Sequence, residues 1–590
     1  MAKGVTVTKK KILDGARMTQ LRQGFAGQAD GKITSKYKWE VSEKAPKKYE
    51  KDFGKLVGQL LFNRGIEPDR VADFLNPDYG KLHDPFLLKD MDKAVRRIRQ
   101  AVTKAEKIVV YGDYDVDGIT STTILVDYLK SEGARVESYL PHREDEGYGL
   151  NGEAIKGLIK GGADLLVTVD CGISNAHEVE LANSRGLNVI IVDHHTVPKV
   201  LPKALAIIHP LQKNDRYPFK DLAAVGLAFK LAQALSDNDE QIKWYLDLVA
   251  LGTIADVVPL LGENRILVKY GLIVLGKTKR VGLRALAETS ITDLKKIDSQ
   301  AVAFQLAPRL NAAGRLEHAD LSLELLQVAD EVDALRMANQ LEMINIRRRK
   351  KQDEILRVAV GLIEAEFKND WAFVLGQENW SAGVVGIVAG QIAERYQRPT
   401  IMLEKKGDEA KGSGRSIAGF NLIEALNVHR EALVKFGGHK QAVGLSMLVA
   451  GIEDFRSSLN MYTAKKLRGG DLSPRLNIEV LLSADDLCLE TVRHLRDFGP
   501  FGAGNPEPIF ITKGVRVSGK RLMGRENQHL KFHLQGLGSD VEAISFGAPK
   551  AWLQRIESGD KLDIVYRLNV NHFNEQTRLQ LRLLDLRRSQ

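Results

Sequence analysis

The sequence predicts an α/β protein with several domains: a doubly wound parallel-sheet domain, a second and smaller α/β domain joined to it by a long helix, and a C-terminal β barrel. At 590 residues the chain is too long for a single core. Three short, continuous runs of β-branched residues, separated by helical patterns, indicate a parallel sheet buried on both faces. A helical pattern without proline, and without glycine before Gly361, spans 331–367 and predicts the long helix. Short strand-like segments near the C-terminus predict the barrel.

The three β-branched runs share the way in which they end. They are "KIVVYGD" (107–113), "DLLVTVDCG" (164–172) and "NVIIVDHH" (188–195), and a helical stretch separates each from the next. Because ligands bind beyond the carboxyl ends of the strands in an open parallel sheet, we expect the polar residues at these ends to share one crevice. Those residues are Asp113, Asp115, Asp117, Asp170, Asp193, His194 and His195.

Changes in composition predict five segments along the chain. The first is polar, rich in Lys, Gly and Thr and without sustained periodicity, so we expect it to be at least partly disordered. In the last segment three strand patterns, one helix and two further strands favour an OB-like barrel. The expected division is an N-terminal extension at 1–46, the first α/β domain at 47–330, the connector helix at 331–367, the second α/β domain at 368–467 and the OB-like domain at 468–590.

Composition limits the class of function only weakly. The net charge of +9, from 85 basic and 76 acidic residues, suits a polyanionic partner without identifying one. Two distant cysteines, Cys171 and Cys488, argue against a disulfide framework and a cysteine-based zinc site, and they favour a reducing cytoplasm. The sequence contains no run of about 18 apolar residues that predicts a transmembrane helix, and its start lacks the apolar core of a secretory signal.

The acidic cluster itself indicates metal binding. Carboxylates packed together raise one another's pKa values, and divalent cations remove that repulsion. Carboxylate oxygens and imidazole nitrogens suit Mn²⁺ or Mg²⁺, and the donors exceed one coordination shell, so we expect two cations. A further acid, Asp256, lies in the apolar segment "LGTIADVVPL" and needs a partner there. Taken singly, a strand-end aspartate is more often a helix N-cap, and "DYDVDG" resembles a calcium loop that lacks the final glutamate.

Four short motifs carry a resemblance to a known family. The stretches "VVYGDYDVDG", "VTVDCG", "VDHH" and "GTIADVVPL" resemble the motifs of the DHH phosphoesterase superfamily. A further set resembles the RecJ branch of that superfamily, whose members are bacterial single-strand-specific 5′→3′ DNA exonucleases. That set comprises "FLNPDYGKLHDPFLLKDMDKAVRRI" (74–98), "LPHREDEGYGLN" (140–151), "APRLNAAGRL" (307–316), "GSGRS" (412–416), "GGHKQAVG" (437–444) and "PFGAGNPEP" (500–508).

The resemblance implies that the first α/β domain is a DHH catalytic domain. In such a domain a pair of Mn²⁺ or Mg²⁺ ions activates water for in-line attack on a phosphodiester bond. Asp193 either joins the ligands or orients a histidine, and one of His194 and His195 ligates while the other contacts phosphate. The metal-binding and catalytic residues implied in this way are Asp113, Asp115, Asp117, Asp170, Asp193, His194, His195 and Asp256.

The resemblance also implies a pocket for the terminal 5′ phosphate, built from arginine forks and a glycine-rich loop. The OB-like barrel offers a basic groove with aromatic side chains for bases, of which we expect about half to lie in the barrel core. The basic run "RRRKK" (347–351) forms a solvated face or follows the phosphate backbone. The phosphate- and DNA-binding candidates are Arg143, Arg309, Asn311, Ser413, Arg415 and His439, and the stacking candidates are Phe532, Phe546, Tyr566 and Phe573.

The function predicted from the resemblance is 5′→3′ exonuclease activity on single-stranded DNA, with release of mononucleotides, in DNA repair and recombination. The expected substrate is a single strand with a 5′ end, and a single-strand-binding protein or a helicase is a candidate partner. We expect a cytoplasmic monomer without membrane association. One alternative is a DHH-family phosphodiesterase for short oligonucleotides or cyclic dinucleotides, which usually lacks the barrel. A second alternative is a non-catalytic DNA-binding scaffold, which loss of metal ligands would mark.

Overall fold

The computed structural model describes residues 33, 35, 37–524, 526–535, 541–573 and 576–589. The expected partial disorder concerns the extension at 1–46, of which residues 1–32, 34 and 36 lie outside the described residues. In the described part of this extension, β1 (Lys38–Val41) pairs in parallel with a strand at Arg475–Ile478. The N-terminal segment is therefore tied to the C-terminal third of the chain.

Three short helices follow β1, and they pack against the C-terminal domain. Their buried residues Tyr49, Leu60 and Phe74 belong to the same hydrophobic cluster as the interior of the barrel. Arg64 forms an ion pair of 2.6 Å with Glu479. The N-terminal helices thus help to hold the two ends of the chain together. They are α1 (Lys47–Phe53), α2 (Lys55–Asn63) and α3 (Val71–Leu75).

The first α/β domain contains a five-stranded parallel sheet in the order β3-β2-β4-β5-β6. Alternate residues of one central strand belong to hydrophobic clusters on opposite faces: Leu165 and Val167 to one, Leu166 to the other. Both faces are covered, which explains the continuous apolar runs in the sequence. The strands are β2 (Ile108–Tyr111), β3 (Val136–Tyr139), β4 (Leu165–Val169), β5 (Asn188–Val192) and β6 (Ala206–Ile208).

Helices pack against both faces of this sheet. A π-helical turn, Val302–Leu306, joins two of them. The helices are α4 (Met91–Thr103), α5 (Val116–Ser131), α6 (Gly152–Lys160), α7 (Ala176–Ser184), α8 (Ala224–Leu235), α9 (Asp239–Ile242), α10 (Leu246–Ala255), α11 (Gly262–Leu275), α12 (Val281–Ser290), α13 (Ser299–Ala301), α14 (Ala307–Leu316) and α15 (Asp320–Gln327).

The long helix α16 (Glu331–Leu362) leads to the second α/β domain, as predicted. Asp330 caps its start, because its carboxylate accepts the backbone N–H groups of Val332 and Asp333. The second domain has a mixed sheet in the order β10-β11-β9-β8-β7, in which only β7 and β8 run in parallel. Its elements are β7 (Phe373–Glu378), α17 (Ala382–Tyr396), β8 (Thr400–Lys406), β9 (Glu409–Arg415), α18 (Leu422–Val428), β10 (Lys435–Gly438), β11 (Ala442–Leu448) and α19 (Ile452–Leu467).

The C-terminal domain is a closed five-stranded barrel. Its strands pair in the order β14-β15-β16-β18-β17, and β17 closes the barrel by pairing with β14. The order of three strands, one helix and two strands confirms the predicted OB-like barrel, and with it the predicted fold class. Its elements are β12 (Arg475–Ile478), β13 (Val480–Leu481), α20 (Leu489–Phe498), β14 (Phe510–Met523), β15 (His529–Gln535), β16 (Val541–Ser545), α21 (Lys550–Arg555), β17 (Lys561–Phe573) and β18 (Gln576–Arg588). Among the described residues, no helix combines the length and apolar character needed to cross a membrane.

Candidate metal centre and nucleic-acid interface

The carboxyl ends of three neighbouring strands deliver acidic residues to one edge of the first sheet. Strands β2, β4 and β5 run in parallel and in register, and they are followed by Asp113, Asp170 and Asp193 respectively. The glycine of the first motif has a steric role, because a Cβ atom at Gly118 would lie 2.4 Å from the carbonyl oxygen of Asp113. The structure therefore brings the strand-end residues together as expected from the sequence.

Asp115 and Asp117, two of the three aspartates in the first motif, accept hydrogen bonds from backbone N–H groups at the starts of helices. The Oδ1 atom of Asp115 accepts the backbone N–H groups of Asp117 (2.9 Å) and Gly118 (3.2 Å), which makes it the N-cap of α5. The carboxylate of Asp117 accepts the N–H groups of Ala224 and Val225 at the start of α8, each at 2.8 Å. Helix N-termini favour negative charge, so these bonds fix both carboxylates at the cluster.

His194 lies at the centre of the cluster. Its Nε2 atom is 3.2 Å from Oδ1 of Asp170, 3.7 Å from Oδ2 of Asp256 and 3.8 Å from Oδ2 of Asp117. Asp256 directly follows α10, so a helix carries it to the strand edge. The ligand atoms of each of three overlapping groups lie within 4.8 Å of one another: Asp113, Asp115 and Asp170; Asp117, His194 and Asp256; and Asp170, His194 and His195.

The carboxylate of Asp193 holds the two histidines in place through hydrogen bonds. Its Oδ1 atom accepts the backbone N–H groups of His194 (2.7 Å) and His195 (3.0 Å), and its Oδ2 atom accepts that of Ile173 (2.9 Å). Nδ1 of His195 lies 2.8 Å from the same Oδ1 atom and 3.0 Å from the hydroxyl of Tyr148. Burial opposes ionisation of Asp193, but these hydrogen bonds outweigh burial and lower its pKa to about 2.

The electrostatics of the cluster fit a divalent cation. Asp113 Oδ1, Asp170 Oδ1 and His194 Nε2 are buried, and among the described residues they have no hydrogen-bond partner. Burial and then the neighbouring carboxylates raise the pKa values of Asp113, Asp117, Asp170 and Asp256. A cation supplies the missing partner and offsets the repulsion, and oxygen with imidazole nitrogen is a donor set suited to Mn²⁺ or Mg²⁺.

The backbone is strained on two sides of this cluster. Asp170 has a φ of 62°, and Val257, which follows Asp256, has a φ of 65°. Left-handed backbone is uncommon outside glycine and is a clear outlier for a β-branched residue. Such strain persists where the surrounding structure enforces it, and it concentrates at functional sites.

A group of cationic side chains from both α/β domains lies beside the acidic cluster. The guanidinium carbon of Arg143 lies 4.1 Å from the ring centre of Tyr114, within the first motif. Ser413 and Arg415 pack on α17, since a Cβ atom at Gly386 would be 3.2 Å from the hydroxyl of Ser413 and 3.3 Å from Nη2 of Arg415. Burial and the charge of Arg143 lower the pKa of Arg415, so an anion between the two arginines would relieve their repulsion.

A third arginine of this group, Arg315, was not among the residues singled out in the sequence. Burial and then the charges of Arg143, Arg348 and Arg415 lower its pKa to about 9. One of its guanidinium nitrogens donates to the carbonyl of Gly383, at the start of α17, at 3.0 Å. The sequence does contain a signal for Arg315, because it lies four positions after Asn311 on the same helix, and residues at that spacing share one helix face.

The remaining phosphate-binding candidates have different surroundings. Arg309 is buried, and its Nε atom lies 2.6 Å from a carboxylate oxygen of Glu342 on α16. Oδ1 of Asn311 accepts the first backbone N–H of α5 at 3.2 Å, which places this side chain beside the aspartates. His439 is exposed, and its Nδ1 atom lies 3.3 Å from the hydroxyl of Thr196, just after the two histidines of the first domain. The structure therefore brings Asn311 and His439 to the cluster, whereas the guanidinium of Arg309 contacts Glu342 and donates to the backbone carbonyl of Gln305, four residues earlier.

The aromatic side chains proposed for base stacking differ in how deeply they are buried. Phe532 and Tyr566 are fully buried in the barrel core. Phe546 is half-buried and contacts His529, with ring centres 5.5 Å apart. The side chain of Phe573 lies outside the described residues. Inward-facing aromatics are the rule in strands, and Phe532 and Tyr566 follow it.

Comparison with known proteins adds to this geometry. Three family models match the chain: the N-terminal domain of the DHH family at 107–253, the DHHA1 domain at 368–465 and the RecJ OB domain at 478–585. The single-stranded-DNA-specific exonuclease RecJ of Bacillus subtilis (strain 168) is 38% identical over 565 residues, which are 94% of this chain and 71% of the relative. The chain belongs to the RecJ family.

Solved structures of RecJ proteins agree with this assignment. The crystal structure of RecJ from Thermus thermophilus in complex with Mn²⁺ matches with a TM-score of 0.80 and 31% identity, over 94% of this chain and 80% of that chain. The same protein in complex with Mg²⁺ matches with a TM-score of 0.75 and 29% identity, over 94% and 79%. The resemblance to RecJ that the motifs indicated is confirmed.

Proposed function

We propose that this member of the RecJ family is a 5′→3′ exonuclease specific for single-stranded DNA, which releases mononucleotides by hydrolysis with two divalent cations, Mn²⁺ or Mg²⁺. The observation that carries the proposal is the set of three overlapping acidic groups, two of which share Asp170 and two of which share His194. Relatives named as single-stranded-DNA-specific exonucleases, and RecJ structures described with Mn²⁺ and with Mg²⁺, support it.

The acidic groups offer more donors than one cation accepts, which favours two cations. When bound, divalent cations supply Lewis acidity and offset the negative charge that develops on the attacked phosphate and the leaving oxygen. Since Nδ1 of His195 is engaged by Asp193, its Nε2 atom remains for a cation or for the scissile phosphate. We assign Asp193 to hold His195, and we assign the ligand role to Asp113, Asp115, Asp117, Asp170, His194, His195 and Asp256.

The polarity of the reaction follows from the cationic group. We assign Arg143, Ser413 and Arg415 to the terminal 5′ phosphate, because guanidinium forks and a hydroxyl match phosphate oxygens. A pocket that requires a chain end, placed beside the metal centre, selects exonuclease cleavage at the 5′ end. Asn311 and His439 lie at the same edge and are assigned to the phosphate that follows. A phosphate contact by Arg309 requires its ion pair with Glu342 to open or to be shared.

The barrel and the cellular setting complete the proposal. We infer that the OB-like domain holds the single strand, as barrels of this type do. The proposed segments of the chain are the N-terminal extension 1–46, the catalytic domain 47–330, the connector helix 331–367, the second α/β domain 368–467 and the OB-like domain 468–590. We propose a monomer in the cytoplasm, which the near absence of cysteine supports. A single-strand-binding protein or a helicase is the proposed partner that recruits it.

The two alternative functions have less support. A phosphodiesterase for dinucleotides does not need the barrel, which matches the RecJ OB model at 478–585. A non-catalytic scaffold has no use for a buried acidic cluster whose polar atoms lack partners. Hydrolysis rates on a long 5′-phosphorylated strand, a dinucleotide and a duplex separate the three functions.

Single strands labelled at either end test the proposal. With Mn²⁺, a 5′-labelled single strand should yield labelled mononucleotide as its first product, and a 3′-labelled strand should shorten stepwise. A blunt duplex of the same sequence should stay intact. Equal degradation from the 3′ end would contradict the polarity, and an intact single strand would contradict the nuclease function.

A further inference from the structure

The loop between β3 and α6, which carries Arg143, is built around the carboxylate of Glu146. The two oxygens of this carboxylate accept three hydrogen bonds. Oε1 accepts the backbone N–H of His142 at 2.7 Å. Oε2 accepts the hydroxyl of Tyr139 at 2.8 Å and the side-chain amide of Asn151 at 2.6 Å. Since Tyr139 ends β3 and Asn151 caps α6, Glu146 ties the two ends of the loop together.

Glu146 also shapes the chain around Arg143. Its backbone N–H donates to the carbonyl of His142 at 2.8 Å, while its side chain accepts the N–H of the same residue. The chain from His142 to Glu146 therefore closes into a compact turn that contains Arg143. Burial opposes ionisation of Glu146, but its three hydrogen bonds outweigh burial and lower its pKa. Glu146 is thus a charged acceptor, which forms stronger hydrogen bonds than a neutral one.

The direction of the Arg143 side chain depends on this turn. Its guanidinium carbon lies 4.1 Å from the ring centre of Tyr114, a residue of the first motif. Among the described residues, no carboxylate forms an ion pair with Arg143. A long side chain that rests on one ring is placed mainly by its own backbone, and the carboxylate of Glu146 holds that backbone.

The other half of the loop has anchors of its own. The hydroxyl of Tyr148 donates to the backbone carbonyl of Asp170 at 3.1 Å. The backbone N–H of Leu150 donates to the side chain of Asn175 at 3.2 Å, and that side chain donates back to the carbonyl of Leu150 at 3.0 Å. A substitution at Glu146 should therefore loosen chiefly the half of the loop that carries Arg143.

We propose that Glu146 is a positioning residue, which fixes Arg143 where it binds the terminal 5′ phosphate. Binding groups act only when neighbouring residues hold them in the productive geometry, and a misplacement of about 1 Å can cost about 100-fold in rate. The inference rests on the proposed function and deepens it, because it names a determinant of the choice of a phosphorylated end. Glu146 does not touch the substrate and acts through Arg143.

The preference for a phosphorylated end tests this role. It is measured on the full-length chain with Mn²⁺, as the ratio of kcat/KM for a 5′-phosphorylated over a 5′-hydroxyl single strand. We expect E146A to lower the ratio by about tenfold, the lower end of the cost of losing a hydrogen bond to a charged group. E146Q keeps the shape of the side chain and one acceptor oxygen, so it should lower the ratio by about threefold. The matched control is E144A, which removes an exposed glutamate of the same loop and should keep the wild-type ratio.

A double-mutant cycle tests whether Glu146 acts through Arg143. R143M alone should lower the ratio by about tenfold or more, since it removes the phosphate contact itself. In the R143M background, E146A should change the ratio by less than about twofold, because the effects of residues that act through one another do not add. If thermal unfolding shows that E146A does not fold, the same cycle is measured with E146Q.

The outcomes separate this inference from the proposed function. A wild-type ratio in both E146A and E146Q, or an equal fall in E144A, overturns the inference. Equal losses of kcat/KM on the two strands show a merely structural role and overturn it as well. Additive effects of R143M and E146A contradict action through Arg143. A wild type that cleaves single strands without preference for a 5′ phosphate overturns the phosphate pocket of the proposed function itself, before any variant is compared.

Discussion

The Nε2 atom of His194 lies 3.2 Å from Oδ1 of Asp170, and neither buried atom has a hydrogen-bond partner among the described residues. Unsatisfied buried polar atoms are uncommon and costly. Here they face each other at the carboxyl ends of β4 and β5, amid other carboxylates of raised pKa. A site of this kind is completed by a cation.

Replacement of Asp170 tests the most central of the acidic residues. D170N keeps the shape of the side chain but removes the charge, and Asp170 contributes to two of the three acidic groups. We expect hydrolysis of single-stranded DNA to fall by more than about 100-fold. Loss of a residue that only orients a metal ligand costs about 10- to 100-fold, so a larger loss indicates a direct ligand. The control is D330N, which changes an exposed helix cap far from the cluster in the same way. Activity of D170N within tenfold of the wild type would rule out this assignment.

Asp193 is expected to act through His195 rather than directly. Burial opposes the charged imidazole, but the hydrogen bond and charge of Asp193 outweigh burial and raise the pKa of His195. In D193N we therefore expect the pKa of His195 to fall, and the Mn²⁺ concentration for half-maximal activity to rise by about 10- to 100-fold. NMR titration of the metal-free protein and a Mn²⁺ titration measure the two effects. An unchanged histidine pKa would show that the bond has no such role.

Stability of the metal-free protein should depend on pH through Asp256. Burial and the charges of Asp117 and Asp115 raise its pKa above the ordinary value. A carboxyl with a raised pKa in the folded state holds its proton more tightly when folded, so stability is lost as pH rises from about 4. In EDTA, D256N should therefore unfold at a higher temperature than the wild type near pH 8, and the difference should shrink toward pH 4.

Added Mn²⁺ should reverse this order. A cation that binds the folded state and displaces protons stabilises the wild type, and it does so more as pH rises. D256N lacks one charged ligand and should gain less. Thermal unfolding with and without Mn²⁺ measures both effects. A wild type that is more stable than D256N in EDTA at pH 8 would contradict the raised pKa.

The cationic pocket should decide which strand end is used. R415M removes a guanidinium that lies close enough to Arg143 for the charge of Arg143 to lower its pKa. Loss of a charged hydrogen bond costs about 1.5–3 kcal/mol. We expect the preference for a 5′-phosphorylated over a 5′-hydroxyl strand, measured as the ratio of kcat/KM, to fall by about tenfold or more. R430M, an exposed arginine of the same domain, serves as control. An unchanged ratio in R415M would place the 5′ phosphate elsewhere.

The sequence predicted the acidic cluster because strand order and strand polarity are local consequences of a βαβ pattern. The runs that end at Asp113, Asp170 and Asp193 are neighbouring strands, so their ends had to meet. Asp256 was identified for a different reason, since a carboxylate in an apolar helix needs a partner. The barrel was predicted from its alternating strands and its single helix.

Features that depend on contacts between distant segments were not predictable from the sequence. The pairing of Lys38–Val41 with Arg475–Ile478 joins segments separated by most of the chain, and no local pattern encodes it. The ion pair of Arg309 with Glu342 depends on how α14 packs on the long helix. The hydrogen bond from Arg315 to the carbonyl of Gly383 likewise depends on how the second α/β domain packs against the first.

A crystal structure of the wild type grown with Mn²⁺, with anomalous diffraction recorded at the manganese edge, tests the central claim most directly. We expect two anomalous peaks in the wild type and their loss in crystals of D170N. Both peaks should lie within the cluster formed by Asp113, Asp115, Asp117, Asp170, His194, His195 and Asp256. An empty cluster in the wild type, or manganese bound only at other sites, would contradict it.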